Sequence, residues 1–377
     1  MRFITTRRLL VPAAALLAAA CDDSSNPIEP MEAPVAEVEA PAPKAGSAAL
    51  MDQPYWADGY LYARNEAGIV LAQPEASWSR SGGAITVTKV AGTTGRYVAR
   101  LRSLTTLLGG KSTVHVSATG VNYGASYCKP VGAFMVRDSV EVRCYKIGTG
   151  AAANTDFSLD VLGKRSDRAF AFANQPTATN YAPASAGSYN PAGVTKVYRD
   201  GAGQYRVVFS GMGAYLPQGF GGHVQATAVG TNKVHCLVER WTGAPSADLS
   251  ITVECYAPSG ARADSKFATM VTAPASHLAY AWASDPTNPS YTPNESYAFN
   301  PMGGNVAITR TGVGAYTVRW IGVDGDIRDF GNAQVTAWGY NNAQCRLVYF
   351  DADAAHVKCY GPTGAAMDSY FTVLLGS

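Results

Sequence analysis

Seven cysteines, five histidines and 28 acidic side chains are the groups in this 377-residue chain best able to do chemistry. Six of the cysteines fall into pairs, Cys128/Cys144, Cys236/Cys255 and Cys345/Cys359, and each pair brackets a hairpin pattern. In the second pair, Cys236-Leu-Val-Glu-Arg-Trp runs into a Gly/Pro/Ser/Asp turn and returns as Ile251-Thr-Val-Glu-Cys255. A cysteine opening one strand and another closing its partner lie opposite each other, about 4.5–5.5 Å apart at the side chains and within bonding reach. Three local disulfides are expected, each contributing on the order of 3 kcal/mol through loop closure. Oxidised pairs belong to a compartment outside the cytoplasm. Metal ligation fits poorly, because two sulfurs need further ligands and His115, His223, His235, His277 and His356 share no spacing. No metal or other cofactor is expected.

The remaining groups are less specific. Gly109-Gly110-Lys111-Ser112 ends like a phosphate-binding loop. Thr105 stands where the upstream glycine belongs, however, and a strand pattern follows, so no helix N-terminus waits for the phosphate. Asp324-Gly-Asp326-Ile-Arg-Asp329 spaces carboxylates as a calcium loop does. It is short of ligands and carries Arg328, which favours an acidic turn. Neither Gly-x-Ser-x-Gly nor His-Glu-x-x-His occurs. Sparse acids argue against glycoside hydrolysis without excluding it, since two carboxyls suffice. Whether the protein is an enzyme stays open, with non-catalytic binding the preferred answer.

The elements that carry these groups begin with an address. Arg2, Arg7 and Arg8 precede an uncharged Ala/Leu-rich run from Leu9 to Ala20, the pattern and length of an export signal rather than a membrane span. That run closes on Leu17-Ala18-Ala19-Ala20-Cys21, which resembles the box of bacterial lipoproteins, departing from it at Ala18 where leucine is usual. The resemblance implies that residues 1–21 are a lipoprotein signal peptide and that Cys21 is lipidated. The lipid would then hold the mature chain on a membrane, in the periplasm or at the cell surface. An ordinary signal cut at Ala-x-Ala, with Cys21 incidental, is the alternative. Residues 22–56 carry seven acids against Lys44 and are rich in Pro and Ala. With no hydrophobic period they read as an acidic, disordered tether. From Trp56 onward 26 bases face 21 acids, a balance too even to suggest nucleic acid.

The body, 57–377, repeats. Tyr60-Leu-Tyr-Ala, Phe170-Ala-Phe-Ala and Tyr280-Ala-Trp-Ala open three units of about 110 residues, 57–166, 167–276 and 277–377. Each unit continues through an aromatic strand at Tyr97, Tyr205 or Tyr316 and a segment such as Ala333-Gln-Val-Thr-Ala-Trp-Gly339. The cysteine hairpin follows, then a closing strand on Phe157, Phe267 or Phe371. The halves of a unit resemble each other too, so opening strands recur every 53–56 residues, with about four alternating runs in each half. No long helical period follows residue 56, and the body is expected to be all-β. Six sequential four-stranded modules suit a six-bladed β-propeller built from three double repeats. Three tandem β-sandwich domains of immunoglobulin size are the alternative. The opening strands are large on one face, small on the other and apolar on both, as suits strands buried on both sides.

Side chains shared by all three units, such as Tyr97/Tyr205/Tyr316 and Phe157/Phe267/Phe371, read as core, so ligand contacts belong where the units differ. Loops 121–127, 231–235 and 340–344 occupy one equivalent position and vary. Tyr123, Tyr127, His235, Tyr340 and Asn341 could stack on or hydrogen-bond to a sugar or a peptide there; variable surface turns are the alternative. Over residues 58–377 the chain is similar to secreted β-repeat proteins of high-GC bacteria carrying Val-Gln-Val-Thr-Ala-x-Gly and Val-x-Cys-Tyr patterns, a likeness that brings no activity with it. The expected function is a lipid-anchored cell-envelope protein that binds carbohydrate or protein without catalysis. A secreted hydrolase or lyase on a propeller and a structural envelope component are the alternatives.

Overall fold

A computed structural model of the protein describes residues 56–66, 69–323 and 331–377. The expected export signal, Cys21, the expected acidic tether up to residue 55 and the carboxylate run from Asp324 to Asp329 lie outside them. The described chain is all-β, with a single α-helical turn, Leu104–Leu107.

Each unit builds an inner and an outer layer of strands. A parallel pair, Val238 with Trp338, joins the outer layer of the second unit and the inner layer of the third into one sheet. In the inner layer an opening strand (Gly59–Glu66, Arg168–Ala173, Leu278–Ala283) pairs with the closing strand (Asp156–Leu162, Lys266–Thr272, Tyr370–Gly376). The closing strand pairs on its other side with an axial strand (Thr113–Thr119, His223–Val229, Asn332–Trp338), and all of these pairs are antiparallel. The outer layer joins the cysteine hairpin to two earlier strands. In the second unit its order is Thr195–Gly201, Gln204–Phe209, Leu249–Tyr256, His235–Thr242. Pairing thus runs from one half of a unit to the other, not through six consecutive meanders, and no sheet among the described residues closes on itself. The halves look alike because both use strand–turn–strand chemistry, which specifies a hairpin but not the sheet it joins.

Alternation sets the layers. In the first unit Val114, Val116 and Ala118 turn toward a cluster with Leu61, Tyr97 and Phe157, all within that unit. Between them, His115 and Ser117 reach Thr227 of the second unit and Val335 of the third. Equivalent clusters fill the other two units. Apart from half-buried Trp338, every residue of the three axial strands is buried. Strands covered on both faces have little room for charge, which is why the body is so poor in it. The repeated Tyr/Phe positions are core: the ring pairs Tyr97/Phe157, Tyr205/Phe267 and Tyr316/Phe371 lie 5.3, 5.1 and 5.1 Å apart. A fourth cluster, with Trp56, Tyr60, Phe170 and Tyr280, joins the units at one end of the axis.

Three equivalent backbone hydrogen bonds link the units cyclically. Gly120 N–H donates to Val348 at 3.0 Å, Gly230 N–H to Pro130 at 3.0 Å, and Gly339 N–H to Val238 at 2.9 Å. The links run first to third, second to first and third to second. These glycines have φ of 104°, 112° and 100°, a region that side chains avoid, so each axial segment ends on glycine. Ser117 Oγ adds a bond to Val335 O at 3.3 Å and Thr336 Oγ1 one to Ala226 O at 3.2 Å. In the third place Thr227 Oγ1 meets His115 Nδ1 at 3.0 Å.

The three disulfides join directly opposed residues, Cys128–Cys144, Cys236–Cys255 and Cys345–Cys359, each with Cα atoms 4.0 Å apart. They place the chain in an oxidising, exported environment. Asp264-Ser265 and Asp368-Ser369, which precede the closing strands of the second and third units, are structural as well. Asp264 accepts from Arg199 at 2.8 Å, Gly203 N–H at 2.9 Å and the Tyr205 hydroxyl at 2.9 Å. Asp368 serves Arg310, Gly314 and Tyr316 in the same way. Asn154 takes this place in the first unit, accepting from Gly95 N–H at 2.8 Å.

Candidate functional site

An axial strand of seven residues is about 20 Å long, and its two ends are different places. Trp56 is buried at one, its N–H on Ser377 O at 2.6 Å and the Arg168 guanidinium over its ring. Loops 121–127, 231–235 and 340–344 gather at the other, because each follows the last residues of an axial strand.

Most of these loop residues hold neighbouring units. Arg346 of the third unit, 1% exposed, donates to the carbonyls of Gly120 (2.9 Å), Gly124 (2.7 Å) and Tyr123 in the first. At the equivalent position of the first unit, buried Lys129 donates to Asn232 Oδ1 and, at 2.9 Å, to Val234 O of the second. Burial, reinforced by Arg143, lowers the Lys129 pKa to about 7. In the second unit Leu237 fills the same place and packs on Ala337 and Ala343 of the third.

Tyr127 and His235 are brought together with Gln344, their counterpart, around one axial cavity of about 60 Å³, with Ser117, Thr227 and Thr336 in its wall. It has room for a few waters but not for a sugar ring. Tyr127 donates to Lys233 O at 2.5 Å, and its ring centre lies 6.0 Å from that of His235. Burial holds His235 neutral, lowering its pKa to about 3. Tyr123 sits elsewhere, donating to Asn65 O at 2.6 Å, and Asn341 donates to Ser369 Oγ at 3.1 Å. Of the five loop residues expected at a ligand site, Tyr340 alone stands well out in solvent, 64% exposed.

The units differ most along their seams. Between the first and second, Ala133, Phe172 and Val229 meet; between the third and first, the Tyr62 and Phe350 rings meet at a tilt, 5.6 Å apart, and Thr119 stands at the position equivalent to Val229. The same positions between the second and third units hold Trp241, Trp282 and Trp338, half of the six tryptophans in the chain. Trp282 and Trp338 lie 4.9 Å apart, with Trp241 edge-on at 6.1 and 6.4 Å. Tyr297 extends the strip on one side and Tyr370 on the other, 5.1 Å from Trp282 and 5.5 Å from Trp338. Trp241 donates to Phe220 O at 2.8 Å, whereas the indole N–H groups of Trp282 and Trp338 find no acceptor among the described residues.

A carboxyl pair adjoins this strip. The register shift between Val238 and Arg240 carries Glu239 where the other units have Val131 and Val348. Glu254 stands where they have Arg143 and Lys358. Both are buried, at 3% and 0% exposure. Glu254 accepts from the Tyr256 hydroxyl and from Arg262. Glu239 accepts from Gln204 Nε2 at 3.4 Å, with Arg240 Nε 3.6 Å away. Burial, and after it the touching Glu239 carboxylate, raises the Glu254 pKa against the pull of Tyr256 and Arg262. Sequence reasoning passed over this pair; the available signal was a glutamate at a bulge that is valine in the other two units.

On the axis itself sits a sealed polar core. His115, Gln225 and Gln334 share one level, and beside His115 stands Asp160, where the other units have Met270 and Leu374. Burial raises Asp160 to about 8, and it lowers His115, with His223 contributing, and His223 itself to about 3. All are buried in strands, so a substrate has no path to them. Among the described residues no three of His, Cys, Asp or Glu converge to hold a metal ion, and no helix is long and apolar enough to cross a membrane. No family profile, curated protein or solved structure matches the chain.

Proposed function

We propose that the chain is an exported, lipid-anchored cell-envelope protein whose body is a non-catalytic binding module for carbohydrate or protein. In this reading residues 1–21 are the lipoprotein signal, Cys21 carries the lipid and residues 22–56 are the tether. The body is a set of three two-sheet β-sandwiches around a common axis. Each unit encloses its own hydrophobic cluster and its halves interleave, which favours sandwiches over six propeller blades.

The observation that carries the functional reading is the opposition of the two axial ends. Trp56 is fixed at one, and the loops that vary among the repeats gather at the other. A tether entering at Trp56 would hold the variable end about 20 Å farther from the membrane, open to a ligand. Hydrogen bonds between units keep that end ordered, which lowers the entropic cost of binding.

Fractionation of bacteria expressing the full chain tests the anchor. Wild type belongs in the membrane fraction with a lipid-modified Cys21 as its first residue by mass spectrometry, and Cys21→Ser in the soluble exported fraction. A soluble, unmodified wild type starting elsewhere would overturn it. The released Cys21→Ser protein should capture a ligand from envelope polysaccharides and proteins; capturing none would leave only a structural role.

A further inference from the structure

We propose that the seam between the second and third units is a binding site for a neutral, hydroxyl-rich sugar ring. The proposal rests on the reading of the body as a binding module and names its ligand class. Packing does not demand three indoles there. The same positions are closed by Ala133, Phe172 and Val229 at one seam and by Phe350, Tyr62 and Thr119 at another. All three links between units are nonetheless made at similar lengths, 2.9–3.0 Å. What the second seam adds beyond closure is aromatic surface and paired polar groups.

Those additions match the two sides of a pyranose. Its axial C–H groups form an apolar face that lies against aromatic rings, and its rim presents hydroxyls that both donate and accept. Tyr340 and Tyr370, 64% and 36% exposed, flank half-buried Trp338, and Arg240 and Asn341 stand next to them in sequence or across the seam. Slight desolvation and then the nearby Glu239 carboxylate push the Tyr340 phenol up. The indole N–H groups of Trp282 and Trp338 are themselves sealed and without an acceptor among the described residues, so a bound ring would meet the indole faces and the exposed Tyr340 and Tyr370 hydroxyls.

Charge narrows the class. The outward guanidinium groups of Arg240 and Arg262, 59% and 44% exposed, are balanced by the buried Glu239 and Glu254 beside them, so the patch has no net charge to hold a charged polymer. A lipid chain or an apolar peptide would strand the two guanidinium groups without water. The axial cavity of about 60 Å³ is too small for the ring, so the ring lies along the seam.

The test is a glycan array probed with the full chain, followed by titration of tryptophan emission with maltotetraose, cellotetraose and chitotetraose. A saturable change with a neutral oligosaccharide is expected, weakened about tenfold or more by Tyr340→Ala and by Trp338→Ala. Tyr340 is exposed enough for its variant to fold. Val121→Ala, at the matching place on the third-to-first seam and 65% exposed, should bind as wild type does. Binding indifferent to both Tyr340 and Trp338 would overturn the site and leave a binding module with its ligand elsewhere. An empty array with capture of an envelope protein would overturn the ligand class alone. An empty array with no capture would overturn both readings.

Discussion

Asp160→Asn is the substitution whose effect on stability the fold constrains most tightly. Asp160 has no exposure; one oxygen accepts His115 N–H at 3.1 Å and the other has no partner among the described residues. Met270 and Leu374 occupy its place in the other units, so this unit alone buries an ionisable group there. Burial therefore disfavours the carboxylate and raises the pKa to about 8, against roughly 3.9 in an unfolded chain. The folded state binds the extra proton. Its stabilising effect is complete below about pH 4 and is lost as pH rises through 8. The slope is about 1.4 kcal/mol per pH unit. From pH 5 to 8 the wild type should thus lose on the order of 4 kcal/mol relative to a variant that cannot ionise. Asparagine keeps the shape and the oxygen that accepts from His115. Urea unfolding of both proteins, disulfides intact, in half-unit steps of pH supplies the measurement. The difference in favour of asparagine should climb steadily to about pH 8 and then flatten. Parallel stability curves would refute the reasoning, because they would mean that Asp160 is already ionised and satisfied at pH 5.

Other perturbations probe other parts of the account. Arg346→Met strands the carbonyls of Gly120, Tyr123 and Gly124 and should cost about 3 kcal/mol by chemical denaturation; an unchanged midpoint would mean that the loop is held by other contacts. Gly230→Ala meets no atom within 4 Å, so its cost is backbone strain at φ 112°, about 1–2 kcal/mol, read as a lowered melting temperature. His115, His223 and His235 are held neutral by burial, with pKa lowered to about 3. Their stabilising effect is complete above about pH 6.5 and should fall as pH drops, by about 4 kcal/mol per unit for the three together. His235→Gln should reduce that acid slope by about a third.

The sequence was most readable where chemistry and repetition coincide. The cysteine pairs mark the ends of hairpins, so their spacing announced the partners. The sheet order was not readable. Strands apolar on both faces, such as Leu278–Ala283, carry no mark of which neighbour they choose. Among the loop residues, equivalence was legible and orientation was not. The disulfides fix the register of Ser126–Pro130 and His235–Thr242, and that register turns Tyr127 and His235 inward. Lys129 and Arg346 look like surface cations beside a cysteine; only packing of one unit on the next shows them buried on carbonyls. Glu239 and Glu254 emerge only when each is set against its two counterparts, Val131 and Val348 or Arg143 and Lys358.

The central claim is that a lipid-anchored scaffold of three similar units binds its ligand where those units differ, at the variable end. Amide hydrogen exchange of the full chain, with and without a saturating oligosaccharide identified on the array, tests it most directly. The account predicts added protection confined to residues 238–241, 297–299 and 338–341, with the matching segments 130–133 and 118–121 unchanged. Protection spread equally over all three seams, or confined to the end that holds Trp56, would contradict it.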